Sequence, residues 1–526
     1  MKRLTLLCLF TGLIGGGKFS ELRSEPIQLY NLQETINDTL WITDNKVIPE
    51  GETLHLAPGT LVLFDGPWYI EVRGAIMAEG TEYQPIIFKP SDTLGFSDTL
   101  EQRGSWHGLR FMGTASAGSV LRHCHFLFAK ALDTDSLLQC GGVIHARGPV
   151  SVLFENCRFN NNRAWSRGGA VALFDGADLE FINCIFEDNA TYNPQEGYGG
   201  AVYVWNAAPV FRNCIFRNNQ AVWTGGATCM YYANPLINNC EFYKNFAYIG
   251  GGMAFYHCRP ARTLCNNLVH GNQGLYFGGG ISCNNASDPV FINNTLVDNL
   301  AMYGGGFYCN DSAAPVLFNT LIYYNTNLSG YGPVYIWDPL SHPDFYYCNI
   351  EGGNAAFAGS GGGAGYWGSF AHNIDIPPFF DSTVTWLYYP VDTSLVDRGT
   401  PASDTNGLHL PPYDFTGASR FVNGRVDIGV YERSGVKAEI LAQKLSLSLS
   451  TDQITDQLML RLADAPAASV EIRITDMHGK RVYYESQMHQ GGEWRFAMNT
   501  RCLPSGFYMA SIRVKGQMGA ALFYVE

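Results

Sequence analysis

The stretch that decides the fold is Asn156-Cys157-Arg158-Phe159-Asn160-Asn161-Asn162, followed by Gly168-Gly169-Ala170, because the chain goes on repeating it. The next copies read Asn183-Cys184-Ile185-Phe186 with Asn189 and Gly199-Gly200, then Asn213-Cys214-Ile215-Phe216 with Asn219 and Gly225-Gly226, then Asn239-Cys240-Glu241-Phe242 with Asn245 and Gly251-Gly252. Three looser copies put Asn267, Asn294 and Thr320 in the Cys slot and Val269, Leu296 and Ile322 in the Phe slot, and keep the closing Asn as Asn272, Asn299 and Asn325. Cys-slot positions 157, 184, 214, 240, 267, 294 and 320 differ by 27, 30, 26, 27, 27 and 26. A period held this closely while its residues vary belongs to a repeat architecture.

Within each copy the apolar residues alternate, as Cys214 and Phe216 do, which calls for short strands and no helix. A β unit of this length cannot bury its own apolar face, so copies must stack and share one core. Stacked in register at roughly 4.8 Å, Cys157, Cys184, Cys214 and Cys240 form an inward ladder. A second ladder is expected through Cys229, Phe255, Cys283 and Cys309. The closing Asn suits a left-handed turn position with its amide bonded to the neighbouring coil, and the Gly pairs suit turns where a Cβ would clash.

The phrase F-x-x-N followed by G-G-A resembles right-handed parallel β-helix proteins of the pectate-lyase-like superfamily, including the repeats of polymorphic outer-membrane proteins and adhesins. Val47-Ile48-Pro49-Glu50-Gly51, Leu54-His55-Leu56-Ala57-Pro58-Gly59-Thr60 and Gly104-Ser105-Trp106-His107-Gly108-Leu109 resemble the opening coils of that superfamily. Leu395-Val396-Asp397-Arg398-Gly399 and Val426-Asp427-Ile428-Gly429-Val430-Tyr431-Glu432 resemble the segment that ends many bacterial β-helix surface proteins. Beyond them, His478-Gly479-Lys480 and Gly506-Phe507-Tyr508 resemble the C-terminal sorting domain of the type IX secretion system of Bacteroidetes, which implies contact with that machinery. The expected fold is therefore all-β, a right-handed parallel β-helix followed by a small C-terminal β-sandwich.

Met1-Lys2-Arg3, the apolar run Leu4 to Ile14 and the small residues Gly15 to Gly17 read as a secretory signal peptide. The domain reading is a signal peptide over 1–20, β-helix over 21–435, linker over 436–450 and sorting domain over 451–526. No later stretch reaches the 18 or so apolar residues of a membrane helix, so a secreted or outer-membrane-surface protein is expected.

A net charge of −13 removes the drive toward nucleic acid and makes anionic polymers poor partners, leaving neutral polysaccharide or extracellular protein. Of the 14 cysteines most lie in inward slots that Asn or Thr fill elsewhere, so free buried thiols are expected rather than disulfides.

Polysaccharide lyases and glycoside hydrolases share the resembled fold and need converging carboxylates, or Ca²⁺ beside a basic proton acceptor. Asp175, Asp178, Glu187, Asp188, Glu196, Asp288, Asp298 and Asp311 occupy different repeat slots and do not obviously converge. The nearest catalytic candidates are Arg259 and Arg262 beside His257, a partial echo of the pectate lyase arginine motif with the wrong spacing. No cofactor or resident metal is expected; Ca²⁺ enters only on the lyase reading. His123 and His125 flank an inward Cys and should face outward together.

The better contact series is the aromatic preceding the glycine pairs: Trp165, Tyr198, Trp223, Tyr248, Phe277, Tyr303 and Tyr331. Stacked along one edge they would present flat apolar faces to sugar rings. The leading expectation is thus a non-enzymatic surface protein that binds glycan or an extracellular partner. The alternatives are a lyase or hydrolase with an unusual site, and a structural protein of the cell envelope.

Overall fold

The computed structural model describes residues 27–28, 35–112, 118–132, 139–259, 262–330, 332–380, 388–390, 394–404, 408–421, 423–433, 447–452, 457–465, 468–476, 481–500, 503, 506–514 and 517–525. The leader read at 1–20 and Tyr331 lie outside them. Three parallel sheets of twelve strands run side by side, and successive coils contribute one strand to each. One coil reads Val171–Phe174 in the first sheet, Glu180–Ile182 in the second and Ile185–Glu187 in the third, with Ala190–Thr191 in a fourth, eight-stranded sheet that spans the repeats. The fold is the expected parallel solenoid.

The repeat phrase maps onto this geometry residue by residue. Phe159 pairs with Phe186, Phe186 with Phe216, Phe216 with Phe242, and the column continues through Val269, Leu296, Ile322 and Ile350. Its rings lie nearly parallel, with centroids 4.7 Å apart at Phe159–Phe186 and Phe186–Phe216 and 4.6 Å at Phe216–Phe242. That spacing is the strand separation itself, so register and stacking impose the same distance.

Beside the rings runs a column of carboxamides. Asn162 Nδ2 donates to Asn189 Oδ1 at 3.0 Å, Asn189 to Asn219 at 2.9 Å, Asn219 to Asn245 at 2.9 Å, and so on to Asn325. The same nitrogens also donate to backbone carbonyls such as Phe159 O and Phe186 O, while the oxygens accept backbone N–H bonds. Asn162 through Asn299 are fully buried, and the column leaves none of these groups orphaned.

The left-handed conformation expected of the closing Asn belongs instead to the residue before it. Asn161, Asp188, Asn218, Lys244, Asp298 and Tyr324 have φ between 53° and 57°. The chain must turn immediately before the ladder so that the Asn side chain enters the core. The Asn preceding each Cys slot is left-handed as well, from Asn156 to Asn319. The first Gly of the pairs at Gly168, Gly199 and Gly225 carries the third reversal, which in the fourth copy falls on Gly250, just ahead of Gly251-Gly252; a Cβ on Gly168, at φ 62°, would lie 1.9 Å from Val171 O.

The first Cys ladder is inward as expected, and Cys157, Cys184, Cys214 and Cys240 are fully buried. The second is one residue out of register at its start. Cys229 pairs with Ala254, whereas Phe255 pairs with Met230 below it and Cys283 above. Strand alternation therefore turns Cys229 to the outer face, where it packs with Tyr198, Tyr203, Tyr231 and Tyr256. Every cysteine among the described residues is free and buried. Burial pushes the thiols of Cys258 and Cys348 up to about 12, so they stay protonated and act as small apolar groups.

After the last coil strand, Phe370–Ala371, the segment carrying Leu395 and Val426 to Glu432 runs back over the outer face of the third sheet. Leu395 and Ile428 pack on Val297, Leu321 and Tyr323, and Val430 packs on Leu268. Gly429 N donates to Asn319 O at 2.8 Å and Asn293 Nδ2 to Asp427 O at 2.9 Å. This strap is pinned by buried Arg420, which donates to Val430 O at 2.7 Å and to Asn266 Oδ1 at 2.6 Å.

The C-terminal unit comprises a three-stranded and a four-stranded antiparallel sheet. Leu458, Leu460 and Leu462 of one share a core with Val470, Ile472 and Ile474 of the other. Its first strand, Leu447–Asp452, takes up the last residues of the stretch read as linker.

Candidate functional site

Coil sequence places its variable aromatics outside. In the first sheet Val202 and Val204 face the core, so Tyr203 and Trp205 must face out, and the next coils add Tyr231 and Tyr256 at the same outward positions. Trp205 is 38% exposed and lies over Tyr231 with centroids 5.6 Å apart; Tyr231 stacks on Tyr256 at 4.5 Å and 6°. Beside them Tyr232 stacks on His257 at 4.7 Å. Further along, Tyr308 and Tyr335 pair across the sheet, and Phe277 meets Tyr308 at 4.8 Å.

The aromatics that precede the glycines do not form one series. Tyr198 pairs with Arg167 and Thr224, and Phe277 with Tyr303, one residue before the left-handed glycine and flanking the first sheet. Trp223 and Tyr248 sit one residue earlier and form a separate stack with Tyr276, at 4.9 Å and 4.8 Å. Trp223 is 37% exposed, and Trp165 lies earlier still in its coil, half-buried. A shift of one residue on a strand reverses the direction of the side chain, and the uneven offset from the glycines was its trace in sequence. The outward residues four and six positions after that glycine, Tyr203, Trp205, Tyr231, Tyr256 and Tyr308, obey the same period, which is the sequence signal that marks them.

Charges on this surface are matched locally. Arg147 pairs with Asp175 at 3.1 Å and Arg167 with Glu196 at 3.0 Å, and Arg167 also lies 5.6 Å from the Tyr203 ring centre. The result is a polar but compensated frame around flat apolar rings.

The basic candidates are spread among neighbours rather than converging on one point. Arg259 is 3.6 Å from Asp288, Arg262 donates to Ala208 O at 3.0 Å, and the His257 ring is occupied with Tyr232. His123 Nε2 meets the Asn156 amide at 3.3 Å, and burial, then Arg158, holds His125 below the usual imidazole value. The carboxylates that do gather are Asp414, Asp427 and Glu432 around Arg420, all buried under the strap. Asp414 accepts from Ala418 N and Glu432 N, and Asp427 from Asp397 N and Arg433 N, which commits them to holding backbone. Among the described residues no group of three His, Cys, Asp or Glu could hold a metal ion, and no helix is long and apolar enough to cross a membrane.

Residues 111–279 match the family model described as a right handed beta helix region, and residues 454–521 match that of a secretion system C-terminal sorting domain. No curated protein matches the chain. The coil register, the twelve-stranded sheets and these two matches agree: the chain carries a right-handed parallel β-helix and a type IX sorting tail that directs it to the cell surface or the extracellular space.

Proposed function

We propose that the exported β-helix binds neutral glycan along the outer face of its first sheet. The observation that supports this reading is the stacked run Trp205, Tyr231 and Tyr256, with Tyr232 and His257 alongside, set among compensated charges. Rings held in a stack by strand register are preorganised, so little side-chain entropy is lost when a sugar packs against their exposed surface. On an acidic chain, Arg147 and Arg167 at that face are already paired with Asp175 and Glu196, which disfavours uronate-rich polymers and points to neutral sugars. A solenoid also repeats its contact positions at every coil, which suits a polymer better than a small molecule.

The experiment is a polysaccharide panel scored for retention and for release of reducing or unsaturated ends. Retention of neutral polymers that falls at least about tenfold in a Trp205→Ala, Tyr231→Ala variant supports the reading, the loss of two stacking contacts being worth about 1–3 kcal/mol. Retention unchanged in that variant overturns the assignment of this face. Release abolished by Arg259→Ala or Arg262→Ala would replace it with an enzymatic function.

A further inference from the structure

The turn between the second and third sheets carries an outward asparagine in every repeat, and the carboxamides of this column bond in pairs rather than continuously. Asn213 Nδ2 donates to Asn183 Oδ1 at 3.1 Å, and Asn266 Nδ2 to Asn239 Oδ1 at 3.0 Å. Between the pairs the column breaks: among the described residues neither Asn213 Oδ1 nor Asn239 Nδ2 has a hydrogen-bond partner, and both residues reach solvent.

At this break there is a cleft of about 180 Å³, closed on its far side by Pro411, Pro412 and Tyr413 of the strap. Its walls are held from behind. Asn266 is buried, donates to Tyr413 O at 2.7 Å and accepts from Arg420 at 2.6 Å, so the loop and the coil turn are fixed to each other. The Tyr413 ring is 60% exposed.

We propose that this cleft is a binding site for a single neutral sugar unit, at the end of a glycan or at a branch. It adds a second contact to the glycan-binding reading of the chain and rests on that reading only for its biological setting. Asn239 Nδ2 can donate to one ring hydroxyl while Asn213 Oδ1 accepts from the next, a matched donor and acceptor presented by adjacent coils. Tyr413 and the two pyrrolidine rings supply the apolar wall on which the carbon face of a pyranose packs. Arg212 lines the cleft too, but its guanidinium is paired with Glu180 at 2.7 Å, so its charge is already matched and does not favour a carboxylate or phosphate. Ligand pockets for drug-sized molecules span about 300–1,000 Å³, so the smaller volume here selects one ring rather than an oligosaccharide.

The test uses the full chain and saturation-transfer NMR with methyl glycosides of neutral hexoses, with glucuronate as the charged control. A neutral glycoside is expected to give a signal that falls at least about fivefold in Asn239→Ala and in Tyr413→Ala, about one hydrogen bond's worth, and survives in Tyr413→Phe. Unchanged thermal unfolding in both alanine variants keeps a folding defect from imitating the loss. No signal from any neutral glycoside, a signal indifferent to both alanine variants, or glucuronate binding in preference would overturn the cleft. Polymer retention lost only with Trp205 and Tyr231 would leave the sheet-face reading standing without the cleft. Glycoside binding at the cleft with no polymer retained would do the reverse.

Discussion

Two columns of asparagine climb the solenoid at one period and behave oppositely. The inner column, Asn162 to Asn325, bonds at every step, whereas the outer column, Asn156 to Asn319, bonds in pairs and breaks between Asn213 and Asn239. Solvent makes the difference. A buried carboxamide left unpaired loses its hydration with nothing in return, about 1–3 kcal/mol for each orphaned group, so the inner column cannot be interrupted. Water over the earlier coils, and the strap over Asn266, Asn293 and Asn319, satisfies an outer amide whether or not its neighbour does, so the outer column is free to break where a ligand could use the groups.

The largest effect is expected on breaking the inner column at its centre. Asn219→Ala would orphan Asn189 N and take one partner each from Asn189 Nδ2, Asn245 Oδ1 and Phe186 O. Partial relaxation should leave a loss of about 4–6 kcal/mol, read by denaturant unfolding, with amide exchange rising first in the coils on either side. Phe216→Ala, three residues earlier in the same coil, removes a ring stacked on both neighbours and should cost slightly less, about 3–5 kcal/mol, because it leaves a cavity but no orphaned polar group.

The strap that completes the outer cleft is expected to depend on pH. Burial, reinforced by Asp427, raises the Glu432 carboxyl to about 8 despite Arg420, and burial raises Asp427 to about 6. Carboxyls with raised folded values hold protons that the released strap gives up. Its stability is therefore full below the ordinary carboxyl range and is lost as pH rises through about 6 and then about 8. After correction for intrinsic rates, exchange of amides in 414–433 should be at least about tenfold faster at pH 9 than at pH 5, one pKa unit being worth tenfold. The inner column, which has no ionisable side chain, should show no such trend.

The repeat phrase made the coils, their register and the inward Phe and Cys columns legible in sequence, because core positions must recur at each step. Two features escaped it, each by one residue. The left-handed position falls on Asn161 or Asp188 rather than on the ladder Asn, since a turn and the side chain it aims are different residues. Cys229 shares its residue type with Cys283 but not its face, since strand parity, not identity, decides direction. The aromatic face was partly legible, through Tyr198 and Phe277. The cleft was not, because Pro411 to Tyr413 come from a segment with no repeat and reach Asn266 only through the strap. Contacts between a periodic element and a non-periodic one leave no pattern to read.

The smallest effect on stability, and the sharpest contrast, should come from Asn213→Ala. The side chain is exposed and its bond to Asn183 can pass to water, so loss of the side chain by itself should shift unfolding by less than about 0.5 kcal/mol. The residue's left-handed φ of 53° makes alanine slightly strained, and Asn213→Gly, which accepts that conformation, separates backbone strain from lost side chain. If Asn213→Ala destabilised the chain as much as Asn219→Ala while Asn213→Gly did not, the outer column would be a backbone device rather than a set of groups offered to solvent. If both variants unfold like the parent and both lose the neutral-glycoside signal, the same residue type at the same period serves packing on one side of the coil wall and recognition on the other.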